Sequence, residues 1–509
     1  MTPMVVRQSW WSVSAVVAVS VIAVMLGGCE RTTCPAPDRG TTEITGDVVL
    51  RSGEDLAGME GIRRINGHLN IFGSSIETLA GLDQLQIVTG TIRLDYIPKL
   101  QHLDNLRGLR SVGKLDIEHA FRLRSLTGLR NLEECEEFKL FNCDSLTTLG
   151  NLPVYRITER IRLQGLPALA DLTPLANASR LTFLLLENLA PEVSLEPVFS
   201  LPNLERLEIH RLETTTVPGT ANLPALSYIS LWDLPRLTSL NGIADGPGLA
   251  EVFIYGCPLV TSLQGFGATS QLSSLSLWEC TGLTSLADAG DLSGLHQLAV
   301  RDCGVTTLTA LDEIPELESL TVEACPVSDL SFIGPGVPLR WLYLAELPAF
   351  TDLTSLPETR TFRTVHLTDC THLTSVAGLH LTEDSRLVVD NCPRLVSLEV
   401  PENLTNLELT GPGPTLVDLG GRVSLEELNL YRSSLVDLSD FAGLQRVDNL
   451  FVQSNPYLVD ATGLGDITSA VRVVISDNRY LDQCELEAMT ADWEIEYKIT
   501  IEDNGPCAP

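Results

Sequence analysis

Twelve cysteines, eight histidines and sixty-six acidic side chains are the groups with which this 509-residue chain could do chemistry. Seven of the cysteines (Cys143, Cys257, Cys280, Cys303, Cys325, Cys370 and Cys392) recur in one slot of a repeating pattern, and Asn455 and Asn478 take that slot near the C-terminal end. One cysteine per turn of a ladder inside a core gives a metal neither convergent ligands nor an open approach. The slot therefore predicts small buried thiols, packed as hydrophobes with a weak donor, and no metal site. Cys484 and Cys507 stand outside the ladder, in the tail, where a disulfide between them would close a flap; Cys34 and Cys135 have no obvious partner. The histidines are scattered, and the chain carries no H-E-x-x-H, G-x-S-x-G, P-loop, G-x-G-x-x-G or C-x-x-C motif. No catalytic residue and no cofactor is expected. Asp329, Asp352, Asp418 and Asp437 each precede a leucine at recurring outer-turn positions. A weak calcium stripe and a plain solvated acidic face both fit them.

A formal charge of -32, with no run of Lys or Arg, excludes the basic footprint that a nucleic-acid binder needs. Acidity at this level keeps a long surface soluble and disfavours docking on anionic lipid. Hydrophobic residues at 44% rule out global disorder, and with aromatics at 6% the core they predict is aliphatic and layered. The length calls for several domains or a repeat array.

The elements that must position these groups announce themselves by period. Leu69-Asn70-Ile71, Ile92-Arg93-Leu94, Leu115-Asp116-Ile117, Phe138-Lys139-Leu140, Ile161-Arg162-Leu163, Leu184-Leu185-Leu186 and Leu207-Glu208-Ile209 follow one another at 23 residues. The series continues at Ile229, Val252, Leu275, Leu298, Leu320, Leu342, Val365, Leu387, Leu407, Leu428, Leu450 and Val473 in steps of 20 to 23, and Val48-Val49-Leu50 makes a first member. Each triplet alternates in, out, in, which is strand periodicity. A second apolar set, such as Leu283 and Leu286, turns the chain back over the core. One repeat cannot bury its own face, so about 20 rungs must stack into a shared core and one parallel sheet.

Two dialects are present. Ile44-Thr45-Gly46, Ile65-Asn66-Gly67, Val88-Thr89-Gly90 and the tighter Val112-Gly113 resemble the receptor L domain, the ligand-binding module of insulin and EGF receptor ectodomains, over about 44–180. From about Leu181 the pattern becomes Leu-x-x-Leu-x-Leu-x-x-Cys-x-x-Leu-x-x-Leu, cleanest at Leu272, Leu275, Leu277, Cys280, Leu283 and Leu286, and resembles a bacterial leucine-rich repeat. These resemblances imply a mainly β, right-handed repeat solenoid over 44–480, with irregular or short 3-10 outer turns. They also imply a Cys/Asn slot that points inward and donates to carbonyls of a neighbouring turn, and a sheet face used for ligands. They imply no particular ligand, because such families share a scaffold only. Pro191, Pro197, Pro202 and Pro218, the segment 411–414 and Gly420-Gly421 mark bends or variable outer turns. Residues 481–509 read as a C-terminal cap, with a short helix from Cys484 to Met489 and Trp493 over the last leucines.

At the other end, Val13 to Leu26 is almost wholly apolar, too short for a comfortable span and right for a signal h-region. Leu26-Gly27-Gly28-Cys29 resembles the bacterial lipobox. That implies a signal peptide at 1–28, acylation of Cys29, and a lipid-anchored tether at 29–43 in the cell envelope. Glu30, by resemblance to enteric sorting, points to the outer membrane. An uncleaved anchor and an ordinary signal peptide are the alternatives.

What remains for function is surface. The middle residue of each triplet and the residue after it face outward from the sheet. Tyr228, Trp232, Phe253, Tyr255 and Trp278 fall there on adjacent rungs, and Trp341 and Tyr343 follow three rungs later. Clustered exposed aromatics on a rigid sheet signal recognition, of a protein or an envelope polysaccharide by a monomeric chain. Two competing readings stand beside it: a cross-strand ladder that only stabilises the sheet, and a structural or adhesive spacer with no discrete ligand site.

Overall fold

A computed structural model describes residues 42–507 apart from 268–270, 309–313, 335, 358–360 and 402. The expected leader, Cys29, Cys34 and the expected tether up to residue 41 lie outside the described residues. All twenty triplets lie in strands, and the strands pair parallel in one 23-stranded sheet. Register carries from rung to rung without slipping through the middle of the array: Leu207 faces Ile229, Ile229 faces Val252, Val252 faces Leu275 and Leu275 faces Leu298. The first and third residues of each triplet are buried, as Leu275 and Leu277 are, and join one continuous core. The result is a mainly β leucine-rich-repeat solenoid.

The Cys/Asn slot forms a spine inside that core. Cys303 Sγ donates to Leu277 O at 3.4 Å and Cys392 Sγ to Leu367 O at 3.5 Å, each reaching back one turn. Asn455 Nδ2 donates to Leu430 O at 3.0 Å and Asn478 Nδ2 to Val452 O at 2.9 Å. Asn455 Oδ1 accepts from the Ser433 amide, and Asn478 Oδ1 from the Asn455 amide, so neighbouring turns are stitched together. Burial pushes the Cys143 and Cys325 thiols up to about 12. Cys135 is a buried thiol as well, donating to Glu137 O. The residue before the slot turns the chain off the sheet edge in left-handed backbone, from Tyr96 (φ 51°) through Asp233 (54°) and Asp302 (48°) to Asp503 (57°).

The outer side is built of short turns, several of them 3-10, such as Thr173–Asn177 and Ser439–Phe441. The recurring aspartates belong to these turns. Asp329 Oδ1 accepts from the Ser331 amide at 3.0 Å, Asp352 from Thr354 at 3.1 Å, Asp418 from Gly420 at 2.8 Å and Asp437 from Ser439 at 2.9 Å. Hydrogen bonds from the hydroxyl and amide two residues on hold the Asp329 and Asp437 carboxyls below the ordinary range. They are turn caps. The proline-rich rungs stay in register on the sheet side, with Pro174 and Pro197 in 3-10 turns. Near the late glycines a small outer sheet, Ser397–Glu399 with Leu416–Asp418, replaces the turn.

At the N-terminal end the Ile-x-Gly dialect adds a strand before the triplet, Glu43–Thr45 pairing with Arg64–Asn66. Its glycines are set by close approach: a Cβ on Gly67 would sit 2.4 Å from Gly46 O, and one on Gly90 would sit 2.8 Å from Gly67 O. At the C-terminal end the helix Gln483–Thr490 starts at Asp482, whose carboxylate accepts from the Cys484 and Glu485 amides. Cys484 and Cys507 are disulfide-bonded, and Trp493 is buried. Beyond the helix the strand Glu494–Glu502 pairs parallel with Ser469–Ser476, placing Ile499 and Ile501 opposite Val473 and Ile475. Asn504 then occupies the spine slot, donating to Ile475 O at 3.0 Å. The tail thus extends the sheet by one strand as well as covering its end.

Candidate recognition surface

Parallel register stacks equivalent outward slots, so the residue after each triplet forms a column along the sheet. Trp232 faces Tyr255 and Tyr255 faces Trp278 across three adjacent strands, Tyr228–Trp232, Glu251–Tyr255 and Ser274–Trp278. The Trp232 and Tyr255 rings stack at 4.2 Å and 19°. Phe253, in the middle slot, lies 5.8 Å from Trp232 and meets Trp278 edge-on at 5.0 Å. Tyr255 Oη donates to Glu279 at 2.5 Å, a bond that, with burial, pushes the phenol up to about 12.

Three residues not singled out in the sequence border these rings. His210 borders Trp232 at 6.1 Å and sits 3.9 Å from Glu208; burial holds its imidazole below the ordinary range. Arg301 closes the other end, its guanidinium 4.5 Å over the Trp278 ring and 3.2 Å from Glu323. Arg206 covers Tyr228 at 3.8 Å. Their signal was present in the repeat: Arg206 and Arg301 are the register partners of Tyr228 and Trp278.

The rings are not equally open. Trp232 is 38% exposed, whereas Tyr228, Phe253, Tyr255 and Trp278 are half-buried against their neighbours. Ser230, between Tyr228 and Trp232 on the same strand, is 3% exposed. Trp278 Nε1 is buried with no hydrogen-bond partner among the described residues. Trp341 and Tyr343 form a separate patch. Two strands, Gln297–Arg301 and Ser319–Glu323, intervene, and Tyr343 packs on His366 at 4.7 Å.

The earlier rungs carry ion pairs in place of rings. Glu118, 7% exposed, accepts from Lys139 at 2.8 Å and Arg93 at 3.0 Å. Burial alone would raise its pKa, but these two cations hold the carboxyl below its ordinary value. Asp95, Glu118 and His119 bring ligand atoms within 4.8 Å of one another, yet Glu118 is already committed to its two cations.

No family model and no curated protein matches the chain. Solved structures do. An internalin from Listeria monocytogenes is 16% identical, over 72% of this chain and 86% of that one, with a TM-score of 0.37. A leucine-rich repeat protein from Leptospira interrogans is 14% identical over 78% and 97%, at 0.35. Toll in its complex with Spatzle, from Drosophila, is 12% identical over 94% and 72%, at 0.47. These likenesses are of fold and bring no ligand or activity to this chain. Fold and surface together define a leucine-rich-repeat solenoid with an aromatic column on its sheet face.

Proposed function

We propose that the chain is a non-catalytic recognition protein of the bacterial cell envelope. It binds a protein or an envelope polysaccharide through the sheet face and is anchored at the outer membrane by a lipid on Cys29. The observation that carries the binding half is Trp232, a large ring left open on a rigid sheet at the head of a stacked column. The orphaned Trp278 indole N–H supports it, because a stack selected only to stabilise a sheet gains nothing from burying a donor without an acceptor. The spacer reading finds its support in the packing of Tyr255 on Trp232 and of Phe253 on Trp278.

A photoreactive residue at Ser276, on the same face and half-buried, tests binding on living cells. A discrete crosslinked species, lost in Trp232→Ala, is expected. Crosslinking no greater than from an outer-turn control position would overturn the reading. Anchoring has its own test: palmitate should label the wild-type protein and leave Cys29→Ala unlabelled.

A further inference from the structure

We infer that the open face of Trp232 takes an arginine side chain from an extended basic segment of a partner protein. This rests on the recognition reading above and narrows it. The argument starts from a pattern the solenoid repeats on its own sheet face. Arg162 lies 5.4 Å over Phe183, Arg206 3.8 Å over Tyr228, Arg301 4.5 Å over Trp278 and Arg472 5.2 Å over Phe451. Four rings of this face are thus roofed by a guanidinium of the same chain, while Trp232, Tyr255 and Phe253 have none over them among the described residues. Of these three, Trp232 is the exposed one, so its ring is the one left open to a cation from outside. Indole is also the strongest of the aromatic partners for a cation.

Charge complementarity points the same way. Asp233 follows Trp232 directly, Glu279 takes the equivalent place two rungs on, and the edge continues through Asp302, Glu346 and Asp369, with Glu323 beside it. Among the described residues, Arg301, paired with Glu323, is the only cation in ion-pair contact with this stretch. Burial first, and neighbouring carboxylates after it, push the Asp302 and Glu346 carboxyls up. Beside His210, the edge next to the ring carries carboxylates, and their negative charge favours a guanidinium over a neutral sugar. Strands about 4.8 Å apart put Asp302 roughly 15 Å from Trp232 along the sheet, a span of about four or five extended residues. A segment crossing the strands, with arginine on Trp232 and a second basic residue about that far along, meets both features.

The test uses the full chain and three fluorescein-labelled nine-residue peptides read by anisotropy. One carries arginines at its first and fifth positions, one lysines, and one citrullines. The arginine peptide should bind best, the citrulline peptide at least about tenfold more weakly, and added salt should weaken the arginine complex. Trp232→Leu should lower arginine-peptide affinity about tenfold and abolish its preference over lysine, while Trp232→Phe keeps part of both. Circular dichroism confirms that each variant is folded. Equal binding by wild type and Trp232→Leu, or no preference for arginine, overturns the inference. If Ser276 still captures a partner that the arginine peptide cannot displace, such as a polysaccharide, this inference fails and the broader reading stands. If neither peptide nor crosslink is found, both fail.

Discussion

The indole of Trp232 lies nearly parallel to the phenol of Tyr255, 4.2 Å away across two neighbouring strands. Such a contact contributes to folding even when it also serves binding, so the two roles must be measured separately. A double-mutant cycle with Trp232→Ala and Tyr255→Ala should give a coupling of about 0.5–1.5 kcal/mol in urea unfolding. Trp232→Ala alone should cost little beyond that, because the ring is the open one. A coupling near zero would mean that the rings are neighbours by register only. A single-mutant loss of several kcal/mol would mark Trp232 as core.

The spine gives a sharper contrast. Asn455→Ala removes the acceptor of the Ser433 amide and the donor to Leu430 O, both buried. It should cost about 1–3 kcal/mol, the penalty for stranding buried polar groups. Cys303→Ala removes only a weak sulfur donor and should cost less. Urea midpoints for the two variants decide it; equal losses would mean that the slot acts by volume alone.

The rungs were legible because leucine triplets recur at a nearly fixed step and alternate with period two, and each half of that signal is dictated by burial. The Cys484–Cys507 flap was legible because both residues break the period. Other features depend on directions that one-dimensional spacing does not record. Asp437 reads as acidic surface until its carboxylate is seen on the Ser439 amide. Ser230 reads as an outward slot, yet its larger neighbours cover it. Arg93 and Lys139 read as inert outward charges, suitable as controls for loss of capture. The structure shows them clamping nearly buried Glu118, so removing either costs that carboxylate one of its two cations, and Asn70 is the better control. The last strand escaped because Ile499 follows Val473 by 26 residues, with no leucine to mark it.

Thiol chemistry separates the spine from the flap. Cys135, Cys143, Cys257, Cys280, Cys303, Cys325, Cys370 and Cys392 are buried and unbonded. A thiol reagent should label none of them quickly in the folded protein, since burial removes access and raising the Cys143 and Cys325 thiols to about 12 removes thiolate. In denaturant without reductant all eight should be labelled, and Cys484 and Cys507 should not until reductant is added. Peptide mapping identifies each site. A disulfide between neighbouring spine cysteines would overturn this account.

His366 should set a pH dependence of stability. It sits in the middle slot of Thr361–Thr368 with its ring 4.7 Å from Tyr343. Burial, and then the nearby charge of Arg386, bring its pKa down to about 4, against a weaker opposing pull from Glu408. The unfolded chain titrates this imidazole near 6.5, so between about 6.5 and 4 the unfolded state holds more protons than the folded one. Stability therefore falls as pH drops through that window and levels off below it. The raised carboxyls of Asp302 and Glu346 act in the opposite sense, since the folded state takes their protons first. The informative quantity is thus the difference between wild type and His366→Gln. From pH 7 to 4.5 the wild type should lose on the order of 1–3 kcal/mol more than the variant, read from urea midpoints at each pH. Parallel losses would mean that the imidazole takes up its proton as easily in the folded sheet as in the unfolded chain.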